Sequence, residues 1–275
     1  LYFLGFGVSK HRDRRLNLNY AHRDALQLEK RFAKMRPRFG FRKAHTQVYT
    51  DAEVTVANIK RAKRFLQKAR VRDIVVLFIA GHGVFGRDGR YYFITHDADV
   101  RKLSSTAANF DLVENLLVGI PPRRKLFLMD TCQSGEERGA APALGNKARG
   151  LRVRNVRGLE LAGGSERGAA KPSTRGLYQR DRFIENDVRR RSGAVVLSSS
   201  RGDQLSFEND DAQHGLFTKA VLDALNNADR DRDSQVSTDE LVTHVRDAVS
   251  RASGGAQTPI IDRDNPQIRI ALPKL

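Results

Sequence analysis

A chain of 275 residues that is 40% hydrophobic can bury one sizeable core, and 49 Lys and Arg against 32 Asp and Glu give it a formal net charge of +17. Its single cysteine excludes an internal disulfide and a cysteine-rich zinc site, and fits a reducing, cytoplasmic setting. No window approaches ~18 uninterrupted apolar residues, so no membrane-spanning helix is expected.

LYFLGFGV at 1–8 reads as a first strand. Because the chain opens inside this apolar run, it is expected to be cut from a longer protein and fused there to other domains. After a polar loop, Ala21, Ala25, Leu28, Phe32 and Met35 recur at helical spacing. AHTQVYT at 44–50 is polar enough for an edge strand, and Val56, Ile59, Ala62, Leu66 and Ala69 mark a second helix. DIVVLFIA at 73–80 is apolar on both alternating faces, as in a strand covered on both sides, and it ends in GHG. A short strand at 91–95, a helix at 110–118 and a buried strand KLFLMD at 125–130 follow.

Residues 134–177 hold 9 Gly and 9 Lys or Arg with few large apolar side chains, which predicts a flexible linker. A buried strand at 193–200, helices at 214–226 and 238–252, and a last strand at 267–272 complete the pattern. Strands alternating with helices predict an α/β fold with a mostly parallel sheet between helical layers. The expected division is one domain over 1–275, with parts at 1–133 and 193–275 joined by a linker at 134–192.

The positive charge is uneven. Residues 1–72 carry 19 Lys and Arg against 5 acids, whereas 193–275 carry 9 against 13. Such a charge invites a nucleic-acid reading. The absence of Trp, of zinc-finger spacing and of an aromatic–glycine RNA-binding motif argues against it, and most of the early excess falls on the outer faces of two helices.

In open α/β sheets functional groups gather beyond the carboxyl ends of the strands. Three such groups stand out. His82 lies between Gly81 and Gly83 after one buried strand, Cys132 lies two residues after Asp130 at the end of another, and Asp24 opens the first helix. A thiol needs a nearby imidazole or positive field to become a thiolate, and neighbouring strands can bring the two together. The N–H groups of Gly83 and Cys132 are candidates for an oxyanion site. The plainer alternatives are an inert buried cysteine, a packing histidine and an aspartate that complements a helix amino terminus.

IAGHG at 79–83 and LFLMDTCQSG at 126–135 resemble the paired signatures of the caspase–metacaspase superfamily of cysteine peptidases. LYFLGFGVSK, LNLNYAHRDALQLEKRF, VVLSSSRGDQLSFE and HGLFTKAVLDAL resemble its bacterial caspase-like, orthocaspase-type branch, so the likeness spans nearly all of the chain except 136–177. DTCQSG has Gln133 where metacaspases usually carry His, and it lacks the QACxG core of animal caspases. The resemblance implies a three-layer caspase-like sandwich with about six central strands, and a Cys–His dyad at Cys132 and His82, spaced as in caspases. That chemistry requires no cofactor.

In metacaspases the acids of the first pocket lie two residues before the cysteine and in an N-D-A motif on the first helix. The matching positions are Asp130 and Asp24, within RDA, and they imply protein or peptide substrates with Arg or Lys before the cut. The net charge opposes such a substrate only at long range, since it is screened over ~8 Å at physiological salt. Arg–Gly pairs at 138–139, 149–150, 157–158, 167–168 and 175–176 make the linker a candidate for self-cleavage.

Residues 229–240, DRDRDSQVSTDE, set Asp229, Asp231, Asp233, Gln235, Ser237 and Glu240 at EF-hand ligand positions, with Ser234 where Gly is expected. Calcium binding is one reading of this loop. The other is an acidic turn whose Ser237 and Glu240 form a helix capping box. For the chain as a whole, the competing functions are a catalytically silent caspase-like interaction module and a basic nucleic-acid-binding domain.

Overall fold

The computed structural model describes residues 1–35, 42–86, 88–131, 151–154, 191–201, 204–262 and 270–274. β1 (Tyr2–Gly7) leads through a polar loop into α1 (Ala21–Ala33), which buries Ala21, Ala25, Leu28 and Phe32 at the helical period. β2 (His45–Thr50) and α2 (Val56–Leu66) follow, the helix opened by Thr55, whose hydroxyl accepts from the Asn58 N–H. β3 (Ile74–Gly81) is buried at every position. Shorter pieces come next: β4 (Gly83–Phe85), β5 (Tyr91–Phe93), α3 (Leu103–Thr106), β6 (Ala108–Asn109) and α4 (Phe110–Asn115). β7 (Arg124–Thr131), β8 (Leu151–Val153), β9 (Val195–Ser198), β10 (Phe207–Asn209) and β11 (His214–Gly215) lead to α5 (Leu216–Asn227). β12 (Gln235–Ser237), α6 (Thr238–Ala252), β13 (Ile260–Asp262) and β14 (Ala271–Pro273) close the order.

Six strands form the central sheet in the order β13-β9-β7-β3-β1-β2, parallel throughout except for β13 at one edge. Alternation of side chains divides the core in two. Val76, Phe78 and Leu128 pack with Phe32, Phe217 and Val245 of α1, α5 and α6. Val75, Leu77 and Phe127 pack on the opposite face with Ile59, Leu66 and Val113 of α2 and α4. The result is a three-layer α/β sandwich. After β2 the chain crosses β1 to lay β3 on its other side, so the strand order reverses between β1 and β3. The carboxyl ends beside such a reversal are where α/β sheets bind ligands.

Two strands differ from their expected places. The strand predicted at 91–95 joins a separate small sheet, β4-β5-β6, and the end of the chain pairs β14 with β12 instead of entering the central sheet. The sixth central strand is β13, whose three residues are too few to display a period. β2, polar and only partly buried, lies at the opposite edge as its composition predicts.

Candidate active site

β3 and β7 run side by side with Ala80 opposite Asp130 and Gly81 opposite Thr131. The next residues in the chain are His82 and Cys132. Cys132 lies outside the described residues, but the strand end that leads into it is anchored. The Thr131 hydroxyl shares a 2.5 Å hydrogen bond with the Tyr91 hydroxyl, and the Thr131 carbonyl accepts from Ser199 Oγ at 3.2 Å. Gly81 leaves β3 at φ +152°, and a Cβ there would sit 3.1 Å from the Phe93 ring. That turn delivers His82, with Gly83 beginning β4 directly behind it.

His82 is fully buried, and its Nε2 lies 2.9 Å from the Leu16 carbonyl. A carbonyl only accepts, so Nε2 carries the hydrogen and the lone pair is on Nδ1. Nδ1 has no hydrogen-bond partner among the described residues. Burial pulls the imidazole down to about 4, against the Leu16 hydrogen bond, and the positive charge of Arg154 lowers it further. At neutral pH it is therefore a neutral ring with an available base on Nδ1.

Beside it is an acidic pocket. Asp24 projects from the first turn of α1 and Asp130 from the end of β7, and both are buried around the guanidinium of Arg154. Arg154 Nη2 donates to Asp24 Oδ2 at 2.8 Å. Nη1 lies 2.9 Å from Asp130 Oδ1 and donates to the Asp130 carbonyl at 2.9 Å. Glu208 Oε1 stands 3.4 Å from Nε, while the same carboxylate accepts the N–H groups of Asn19 and Tyr20.

The acids are held by their own partners. Thr218 donates to Asp130 Oδ2 at 2.7 Å, His214 Nδ1 meets Asp24 Oδ1 at 2.7 Å, and the Gly215 N–H donates to Asp24 Oδ2 at 3.0 Å. A Cβ on Gly215 would come within 2.5 Å of Arg154 Nη2 and 2.6 Å of Asp130 Oδ2. Glycine is what leaves room for the guanidinium. Burial pushes the Asp130 carboxyl up to about 6 against the pull of Arg154, and repulsion from Asp24 adds to the rise. Two carboxylates in so dry a place are stable only with a cation between them, and a forked guanidinium meets both at once.

A family model for the caspase domain matches residues 4–268. The chain belongs to the caspase-domain family of cysteine peptidases. Its fold is similar to that of protein GSU0716 from Geobacter sulfurreducens, with a TM-score of 0.58 at 18% identity over 96% of this chain and 94% of that one. It is also similar to caspase-1 from Spodoptera frugiperda, with a TM-score of 0.54 at 13% identity over 95% of this chain and 85% of that one. No curated protein matches it in sequence. Among the described residues, no helix is long and apolar enough to cross a membrane.

Of the site residues expected in this caspase domain, His82, Gly83, Asp24 and Asp130 gather at one end of the sheet. Sequence reasoning missed Arg154, Glu208, His214, Gly215 and Thr218. One signal was present: Leu151, Arg152, Val153 and Arg154 alternate apolar and basic side chains, the period of a strand. The five Arg–Gly pairs fall outside the described residues.

The acidic loop at 229–240 follows α5 (Leu216–Asn227). Asp229, Asp231 and Asp233 offer carboxylate oxygens that all lie within 4.8 Å of one another. Ser234 takes the left-handed φ of +64° that Gly would supply in an EF-hand. Glu240, the expected twelfth ligand, is engaged elsewhere: it accepts the N–H groups of Arg230 at 2.7 Å and Ser237 at 2.9 Å and completes the capping box of α6. Asp229 is itself paired through Oδ2 with Lys274 Nζ at 3.3 Å, so a divalent ion would have to displace Lys274 to use all three aspartates, and would recruit Glu240 only by undoing that cap.

Proposed function

We propose that this chain is a cysteine endopeptidase that cuts after arginine, and more slowly after lysine, with Cys132 as nucleophile and His82 as base. One observation carries the specificity: a guanidinium, that of Arg154, is held by Asp24 and Asp130 at the end of the strand leading into Cys132. A substrate arginine entering that pocket meets the same two carboxylates, whereas an aspartate meets only repulsion. Lysine brings one compact charge that cannot fork between them.

In the proposed reaction, His82 Nδ1 takes the thiol proton and the Cys132 sulfur attacks the carbonyl carbon after the arginine. The oxyanion is held by the N–H groups of Gly83 and Cys132. The C–N bond then breaks, and the departing amine takes the proton from the imidazolium. Water, deprotonated by the same Nδ1, cleaves the thioester and restores the thiol. The hydrogen bond from Nε2 to Leu16 supports this assignment, because it keeps the basic lone pair on Nδ1 throughout.

Self-processing follows from the same pocket. The Arg154 side chain already lies where a substrate arginine would, so the Arg154–Asn155 bond is the candidate for cleavage within the linker. A second reading, a silent interaction module, treats Arg154 as a fixed member of a buried ion cluster. The overall reading is tested by a fluorogenic peptide panel that varies only the residue before the scissile bond, run on the unaltered chain and on Cys132→Ala.

A further inference from the structure

β8 lies antiparallel to β10 with Arg152 opposite Glu208 and Val153 opposite Phe207, and the Arg154 N–H extends the ladder by donating to the Ser206 carbonyl at 2.9 Å. An extended segment held to a sheet edge by main-chain bonds, with side chains entering separate pockets, is how such edges read peptides. Leu151 and Val153 pack, half-buried, against the apolar core beneath. Arg152 and Arg154 are two residues apart and so project to the same side of the strand. Arg154 enters the buried acids. Arg152 reaches a different carboxylate: its Nε donates to Asp210 Oδ2 at 2.5 Å, and the Tyr20 hydroxyl donates to Oδ1 at 3.0 Å and fixes that side chain.

We propose that Asp210 is a second subsite for a basic side chain, reading the third residue before the cut, two positions upstream of the arginine held by Asp24 and Asp130. The cleft then selects Arg-x-Arg preceded by an apolar residue, and Leu151–Arg154 is the chain's own copy of that sequence. The proposal rests on the reading of Asp24 and Asp130 as the pocket for the residue before the cut. Asp210 and Arg152 are partly open to water, with 30% and 65% of their side chains exposed. An exposed ion pair of this kind discriminates by roughly two- to fivefold and weakens with salt.

The test uses labelled Leu-Arg-Val-Arg and Leu-Gln-Val-Arg peptides, titrated by fluorescence anisotropy against a Cys132→Ala, Arg154→Ala chain, which cannot cut and in which β8 no longer fills the acidic pocket. The arginine peptide is expected to bind roughly two- to fivefold more tightly. That margin should vanish in Asp210→Asn and shrink in about 0.5 M salt. Equal affinities, a margin that survives Asp210→Asn, or no binding of either peptide would overturn the proposal. Should the double variant fail to fold, the same peptides compared as substrates of the unaltered chain carry the same contrast. The two readings fail separately. A binding margin without hydrolysis rejects the peptidase and keeps the subsite, while hydrolysis after Arg with no margin rejects the subsite alone.

Discussion

Asp130 and His82 are both buried at the carboxyl ends of neighbouring strands and shifted in ways that give opposite pH dependences. Asp130 is raised from an ordinary 3.8 to about 6, so between those values the folded chain holds a proton that the unfolded chain has released. Its contribution to stability is present at low pH and is lost as pH rises through about 6. His82 is lowered from 6.5 to about 4, so its contribution is present above 6.5 and is lost as pH falls through about 4. Asp130→Asn removes the first effect alone. Its melting temperature relative to the unaltered chain is expected to improve from about pH 4 to about pH 6 and to level off above that. A difference that stays constant over that range would show that the Asp130 carboxyl is not raised in the fold. The same variant leaves an incoming guanidinium with one carboxylate fewer, which for a buried charge pair is a loss of at least about 2 kcal/mol, or roughly thirtyfold in kcat/KM. In the unaltered chain kcat/KM is expected to fall as pH drops through about 6, where Asp130 takes up its proton, and that fall should be absent from Asp130→Asn.

β8 is the element on which the two readings of Arg154 part. If Arg154 is a permanent member of a buried ion cluster, Arg154→Ala strands two carboxylates without a cation and costs about 3–5 kcal/mol. If β8 occupies a cleft that substrates also use, it lifts away, water enters the pocket, and the cost is under about 1 kcal/mol, roughly 2–4 °C in melting temperature for a chain of this size. The second outcome is expected, together with faster turnover of added peptides. The elements most legible in the sequence were those long enough to show a period: β1, α1, β3, β7 and α6 stand within a few residues of their predicted ends. β10, β11 and β13 have two or three residues each, and pairing rather than propensity creates them. Arg154 was overlooked for the same reason, since glycine and arginine around it lower the mean hydropathy of a segment whose order comes from the ladder with β10.

At the scale of the whole molecule, the half of the site on long strands and helices was legible, and the half contributed by short segments was not. His82, Asp24 and Asp130 follow from strand ends and a helix start. Glu208, His214, Gly215 and Thr218 come from a part of the chain nearly 200 residues beyond Asp24, and only folding brings them to it. On the proposed reading, the pairing of Arg154 with both acids would make the chain its own substrate, at the high effective concentration of a tethered segment. Intact-mass spectrometry of the incubated chain is expected to show fragments 1–154 and 155–275, with Cys132→Ala a single species. An uncut chain that still hydrolyses peptides would show that the linker only occupies the cleft. The measurement that most directly tests the peptidase reading is kcat/KM across a fluorogenic panel identical except for Arg, Lys or Asp before the scissile bond. Arg should be fastest, Lys slower and Asp essentially refused, with all turnover lost in Cys132→Ala. Preference for Asp, or turnover that survives the loss of Cys132, would contradict it.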